Sequence, residues 1–195
     1  MILPIVAYGD PVLRKVSEPI DKDYPELDKL IEDMFETMYE ASGVGLAAPQ
    51  IGKDIRLFIV DASPFAEDEE IDEEERVSLA DFKHVFINAE IVEEVGEPWV
   101  FEEGCLSIPD IREKVSREPE VTINYLDENF DEKEVTLSGF AARIVQHEYD
   151  HIEGTLFTDR IGSLRRRLLK GKLNDISTGN ISPRYKMRFP KKKRK

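Results

Sequence analysis

Cys105, His147 and His151 are the residues of this chain best suited to hold one metal ion. They are the only cysteine and two of the only three histidines in 195 residues. His147 and His151 stand four apart in the run Gln146-His147-Glu148-Tyr149-Asp150-His151. On a helix such positions share a face, with Cβ atoms roughly 5–6 Å apart, so both imidazoles can reach one ion. Glu148, between them, is placed to handle a proton on water polarised by that ion. The chemistry indicated is metal-dependent hydrolysis. Blander readings stand beside it: an exposed helix whose histidines do nothing, and a lone cysteine that is a small buried apolar residue. Cys105 ends a strand after Gly104, which lets the backbone approach closely and weakens the bland reading there. A nucleophilic Cys105 with His147 as base is a further alternative, but it leaves His151 and Glu148 without tasks. Two histidines leave a catalytic metal one protein ligand short. No histidine follows His151, and Glu153 and Asp159 follow too closely to match the usual metallopeptidase arrangement.

The elements that must position these residues are legible from periodicity. Leu27, Leu30, Ile31, Met34, Phe35, Met38 and Tyr39 follow helical spacing after Pro25, predicting an amphipathic helix over 25–40 that ends near Ser42-Gly43. Gly43 to Gly52 reads as a loop of small residues. It is no phosphate loop, since no Gly-Lys-Ser/Thr follows. Its bland reading is a tight connection; its functional reading is a substrate loop offering backbone groups and the Gln50 amide. Strands are expected over 55–60, 84–95 and 99–105, with a hairpin from 121–125 to 133–137. A second helix starts after Ser138, a suitable N-cap, and stops near Ile152 before Gly154. Phe140, Ile144, His147 and His151 share one stripe of it, so the metal ligands should face the interior.

Two stretches read as solvated. Glu67–Glu75 holds eight acids in nine residues, which repel one another and predict a mobile acidic insertion over 62–83. Residues 160–195 carry 14 Lys/Arg and one acid, a net +13, whereas 1–159 carry −27. Residues 162–172 suit a basic helix, and 173–195 read as a flexible basic tail with its own partner or role. No run of about 18 apolar residues predicts a membrane span, and the first residues do not read as a signal peptide. One cysteine cannot form an internal disulfide, which fits a reducing cytoplasm.

Three segments together resemble the peptide deformylase family over residues 3 to about 170. They are Gly43-Val44-Gly45-Leu46-Ala47-Ala48-Pro49-Gln50, Glu103-Gly104-Cys105-Leu106-Ser107 and Gln146-His147-Glu148-Tyr149-Asp150-His151, in that order. The resemblance implies an α+β fold, with mixed or antiparallel sheets around a central metal-binding helix, and one domain over 1–172. It implies Cys105, His147 and His151 as metal ligands, with Fe2+ the physiological ion and Zn2+, Ni2+ or Co2+ able to occupy the site. The implied reaction is hydrolysis of the N-formyl group from formyl-methionyl nascent chains. Glu148 would move the proton, while Gln50 and the Leu106 backbone N–H hold the oxyanion. Substrate would meet Val44, Gly45, Phe101, Glu103, Gly104, Phe140 and Ile144. Arg143 falls near the pocket where some relatives carry an apolar residue. The basic C-terminal region suggests ribosome association. Another metal hydrolase, with Cys105 dispensable for the metal, and a non-enzymatic anion-binding protein are the competing readings.

Overall fold

The computed structural model describes residues 1–190. In chain order its strands and helices are β1 (Ile5–Val6), α1 (Leu27–Glu40), β2 (Gly45–Ala47), β3 (Leu57–Asp61), α2 (Glu73–Ala80), β4 (Lys83–Val95), β5 (Trp99–Cys105), β6 (Ile108–Arg117), β7 (Glu120–Leu126), β8 (Glu132–Ser138), α3 (Gly139–Ile152), α4 (Ser163–Thr178) and β9 (Met187–Arg188). Five antiparallel strands form one sheet in the order β2-β3-β4-β7-β8, β5 and β6 form a separate hairpin, and β1 pairs with β9 in parallel. This is an α+β architecture.

The sheet is covered on both faces, and β3 shows why. Leu57-Phe58-Ile59-Val60 is buried throughout. Its residues alternate between two cores, as a strand's side chains must. Leu57 and Ile59 pack with Met34 and Met38 of α1. Phe58 and Val60 pack with Ala142 and Val145 of α3. A third cluster joins Ile108, Ile111 and Val115 of β6 to Leu169, Leu173 and Ile176 of α4. The helix α3 is therefore enclosed by sheet on one side and the β5–β6 hairpin on the other. Only its first residues and Tyr149 keep appreciable exposure.

Three segments differ from the sequence expectation. Residues 43–52 are not a plain loop: Gly45–Ala47 pairs with Val60–Phe58 as a sheet edge, followed by a 3-10 turn over Ala48–Ile51. The predicted mobile loop at 62–83 contains a 3-10 turn, Ser63–Glu67, and the helix α2. Its acids help rather than repel there. Asp72 caps the helix by accepting from Glu74 N–H, and Glu73, Glu74 and Glu75 lie in the first turn, where the helix dipole favours negative charge. Finally, α4 runs to Thr178 and stops at Gly179, whose φ is +74°. Beyond it the chain returns to the body, correcting the flexible tail as far as residue 190; the expectation for 191–195 lies outside the described residues.

The returning segment is pinned by Ile5 N–H to Lys186 O and Ala7 N–H to Arg188 O, both 2.9 Å, with Met187 and Phe189 packed on the third cluster. Losing those bonds and that packing should cost about 2–3 kcal/mol. Deleting residues 182–195 is thus expected to lower the melting temperature by about 4–12 °C in calorimetry. An unchanged transition would mean the segment adds nothing to the fold.

Candidate active site

Cys105 closes β5 at a register shift: Gly104 pairs with Arg112, but Cys105 pairs with Ile108. The turn aims its sulfur at α3, whose helical spacing brings His147 and His151 to the same point. The three ligand atoms lie within 4.8 Å of one another, the one such His/Cys/Asp/Glu group among the described residues. Cys105 Sγ is 3.2 Å from His151 Nε2, and the imidazole rings stand 5.2 Å apart. One thiolate and two imidazoles fit zinc or ferrous iron. His147 Nδ1 is 2.9 Å from Glu103 Oε2, so that nitrogen holds the proton and Nε2 is left for a ligand bond. Two buried atoms at the centre have no partner among the described residues, Glu148 Oε2 and His151 Nδ1. An unpartnered carboxylate oxygen beside such a donor set fits a place for water.

Gln50 approaches from the other side. Ala47 N–H donates to Gln50 Oε1 at 2.8 Å, which fixes the orientation of the amide. Its Nε2 then lies 3.4 Å from Cys105 Sγ. Gly45, buried in the edge strand β2, lies directly against Glu148: a Cβ there would meet Glu148 Cγ at 2.7 Å. Burial pushes the Glu148 carboxyl up to about 7, with His147 opposing and Glu103 reinforcing the rise. Burial disfavours charge on both histidines. Bonds to Cys105 and Glu103 nevertheless raise His147, while neighbouring positive charge joins burial in lowering His151.

Behind these candidate ligands lies a buried charge network that sequence reasoning missed. Arg117, 1% exposed, donates to both Glu103 oxygens at 2.6 and 2.9 Å and to Asp150 at 3.0 Å. Arg160 reaches Asp150 at 2.6 Å. Burial would raise the Glu103 pKa, but Arg117 and His147 hold it well below the usual carboxylate range. The Glu103 side chain is committed to Arg117, Arg143 and His147. Arg143 is likewise engaged with Glu103 and the carbonyls of Trp99 and Val115, its guanidinium 4.1 Å from the centre of the Trp99 ring.

A groove of about 780 Å³ opens over this centre. Gln50, Glu148, Leu106, Val44, Gly45, Phe101, Glu103, Gly104, Phe140, Ile144, Cys105 and His147 all line it; His151 lies behind, 1% exposed. The groove also takes in Phe65, Arg184 and Tyr185, which sequence analysis did not single out. Tyr185 Oη donates to Leu106 O at 2.7 Å, so the returning C-terminal segment braces the turn after Cys105. No local pattern marks Tyr185, because its partner lies 79 residues away.

A cysteine and two histidines around one point, a buried carboxyl beside them and a groove above define a hydrolase of the metal-dependent class. The family model described as polypeptide deformylase matches residues 2–167. A peptide deformylase of Christiangramia forsetii is 60% identical, covering 100% of this chain and 99% of that protein. One of Cytophaga hutchinsonii is 49% identical over 99% of this chain and 100% of that protein. Among solved structures, the peptide deformylase of Thermus thermophilus has a TM-score of 0.78 at 36% identity, over 92% of this chain and 99% of that one. The Legionella pneumophila peptide deformylase has a TM-score of 0.76 at 38% identity, over 92% and 98%. The chain belongs to the polypeptide deformylase family. It is a hydrolase that removes the N-formyl group from newly made proteins.

The contact between Gly45 and Glu148 makes a test. In Gly45→Ala the methyl must push the carboxyl aside, and misplacement by about 1 Å can cost about 100-fold in turnover. Metal content and melting temperature should stay near wild type. Full activity would show that Glu148 has room the packing denies it.

Proposed function

We propose that Cys105, His147 and His151 hold a divalent ion and that Glu148, Gln50 and Leu106 carry out deformylation around it. The observation that carries this is the meeting of those three ligand atoms within 4.8 Å, with the Gln50 amide aimed at the same point. Bound there, the ion would act as a Lewis acid that makes water acidic enough to lose a proton near neutral pH. Fe2+ is the proposed physiological ion. The same donors suit Zn2+, Ni2+ or Co2+ in a purified sample.

The chain's own residues supply the rest. A formyl-methionyl peptide in extended form would add to the edge of β2, meeting the backbone of Gly45 and, across the groove, Gly104. Such main-chain pairing accepts any sequence after the first residue. The methionine side chain would enter the apolar part of the groove at Val44, Phe101, Phe140 and Ile144. Glu148 takes a proton from the attacking water and gives it to the departing amine. As charge grows on the formyl oxygen, the Gln50 amide and Leu106 N–H donate to it, each worth about 10²–10³ in rate. Ala47 holds the first of these and Tyr185 steadies the loop carrying the second.

Formate release from a formyl-Met peptide, by enzyme loaded anaerobically with iron or nickel, tests this reading. Glu148→Ala should lose essentially all turnover while keeping its metal, and Cys105→Ala should lose the metal. Normal turnover in the first variant would overturn the proton carrier. Metal retained in the second would favour the alternative of a different metal hydrolase using the α3 histidines.

The proposed workplace is the cytoplasm, at the ribosome. No helix among the described residues is long and apolar enough to cross a membrane. Part of the C-terminal basic charge is already used: Arg160 pairs with Asp150 and Arg165 with Glu113. Arg167, Lys170 and Lys172 on the exposed side of α4 have no ion pair among the described residues. They can neutralise phosphates and release counterions. Replacing all three with Gln should weaken co-sedimentation with ribosomes at low salt and leave deformylation of short peptides unchanged. Unaltered co-sedimentation would remove this face from the proposal.

A further inference from the structure

We infer that the acidic segment 62–80 is a substrate-selecting wall of the site, with Phe65 setting the size of the pocket for the first side chain. This rests on the reading of the groove given above and deepens it. Phe65 lines the groove together with Phe101 and Phe140. Its ring stacks on Phe140 at 5.2 Å and 19°. Phe140 in turn meets Phe101 edge-on at 5.0 Å and 84°. The three rings are thus contiguous, with Phe65 stacked on Phe140 while the β5 rings of Trp99 and Phe101 meet it edge-on. The Phe65 ring packs against the core cluster that holds Ile144, and Phe65 shares the lining of the groove with Val44 and Ile144.

The wall is anchored at several points. Ala62 and Leu79 are fully buried in the core that holds Ala142 and Val145 of α3. Ala62 N–H donates to Phe82 O at 2.9 Å, closing the segment at its base. Glu75 reaches across from α2, and its Oε1 accepts the Phe140 N–H at 2.7 Å. This gives α3 the side-chain cap that Ser138 does not provide. Gly139 permits the approach: its φ is +58°, and a Cβ there would lie 2.8 Å from Glu75 Cδ. The carboxylate also stands where the dipole of α3 favours negative charge. Phe140 is therefore gripped twice by this segment, at its backbone by Glu75 and at its ring by Phe65. Depth at the apolar end of the groove is set by how firmly the segment is docked.

The expected consequence is a change in selection rather than in chemistry. Phe65→Ala enlarges the pocket. It should lower kcat/KM for a formyl-Met peptide about 10-fold, mainly through KM, and raise the relative rate on a formyl-Phe peptide by a similar factor. Phe65→Leu should restore most of the methionine preference, and Phe65→Trp should shift preference towards formyl-Ala. Glu75→Ala should relax selection in the same direction as Phe65→Ala. Glu75→Gln, which keeps an accepting oxygen, should resemble wild type. Val77→Ser, at a 70% exposed position of α2, is the control and should change nothing. The readout is the ratio of kcat/KM for formyl-Met, formyl-Phe and formyl-Ala peptides, at equal metal content. If those ratios stay within about twofold of wild type in folded Phe65→Ala and Phe65→Trp, the inference is wrong while the deformylase reading stands. If wild-type enzyme releases no formate, the reading of the site fails instead.

Discussion

Arg117 places a full positive charge where almost no water reaches it, and the geometry of the site depends on how that charge is answered. Its partners come from two other elements, Glu103 on β5 and Asp150 on α3, at 2.6–3.0 Å. Breaking a buried pair of this kind leaves an uncompensated charge and costs about 3–5 kcal/mol. That is a large share of the roughly 5–15 kcal/mol that holds a domain folded. The β5–β6 hairpin therefore cannot slide along α3. Cys105 lies at the end of the first and His147 and His151 on the second, so the same bonds that satisfy Arg117 fix the spacing of the candidate ligands. Replacing the network with apolar residues of similar volume would preserve packing, but it would also remove the carboxylate that orients His147.

The cluster of Cys105, His147 and His151 was legible because it rests on local spacing and on scarcity. Two histidines four apart on a helix with an apolar stripe, and one cysteine, leave few other combinations. The helix expected over 25–40 is Leu27–Glu40, and the hairpin expected from 121 to 137 is β7 with β8. The strand β6 was not legible. Its inward positions are Ile111, Glu113, Val115 and Arg117, all buried. Half of them are charged, and their partners lie far off in sequence: Arg165 for Glu113 and Glu103 with Asp150 for Arg117. A pattern that equates charge with solvent cannot see such a strand. The acidic segment failed for the mirror reason. Its charges dominate composition, while the few residues that dock it, Ala62, Phe65 and Leu79, are too widely spaced to form a signal.

The C-terminal charge shows the same limit. Net charge suggested a basic tail detached from an acidic body. In the structure Arg160 and Arg165 return to carboxylates of the body, and Met187–Arg188 adds a strand beside Ile5–Val6. Composition registers the sum of charges but not which of them are spent on one another. Tyr185, inside that basic stretch, ends up against the carbonyl of Leu106 in the candidate oxyanion turn. A segment that reads as an appendage thus forms part of the wall around the reaction.

Two carboxyls near the candidate ligands illustrate how position divides labour. Glu103 and Glu148 are both buried, with 6% and 4% exposure. Glu103 receives guanidinium and imidazole bonds that favour its ionised form, so it can orient His147. Glu148 has no such partners on Oε2, and burial lifts it to about 7. A carboxyl held firmly ionised is a poor carrier of protons, whereas one lifted towards neutrality can take and return them. A divalent ion nearby would draw Glu148 down again through its charge, yet the order of the two groups would persist, since Glu103 keeps its cationic partners. Exchanging the two environments would leave the same residue types in place and remove the asymmetry. The separation comes from Arg117 standing behind one carboxyl and Gly45 backbone standing against the other.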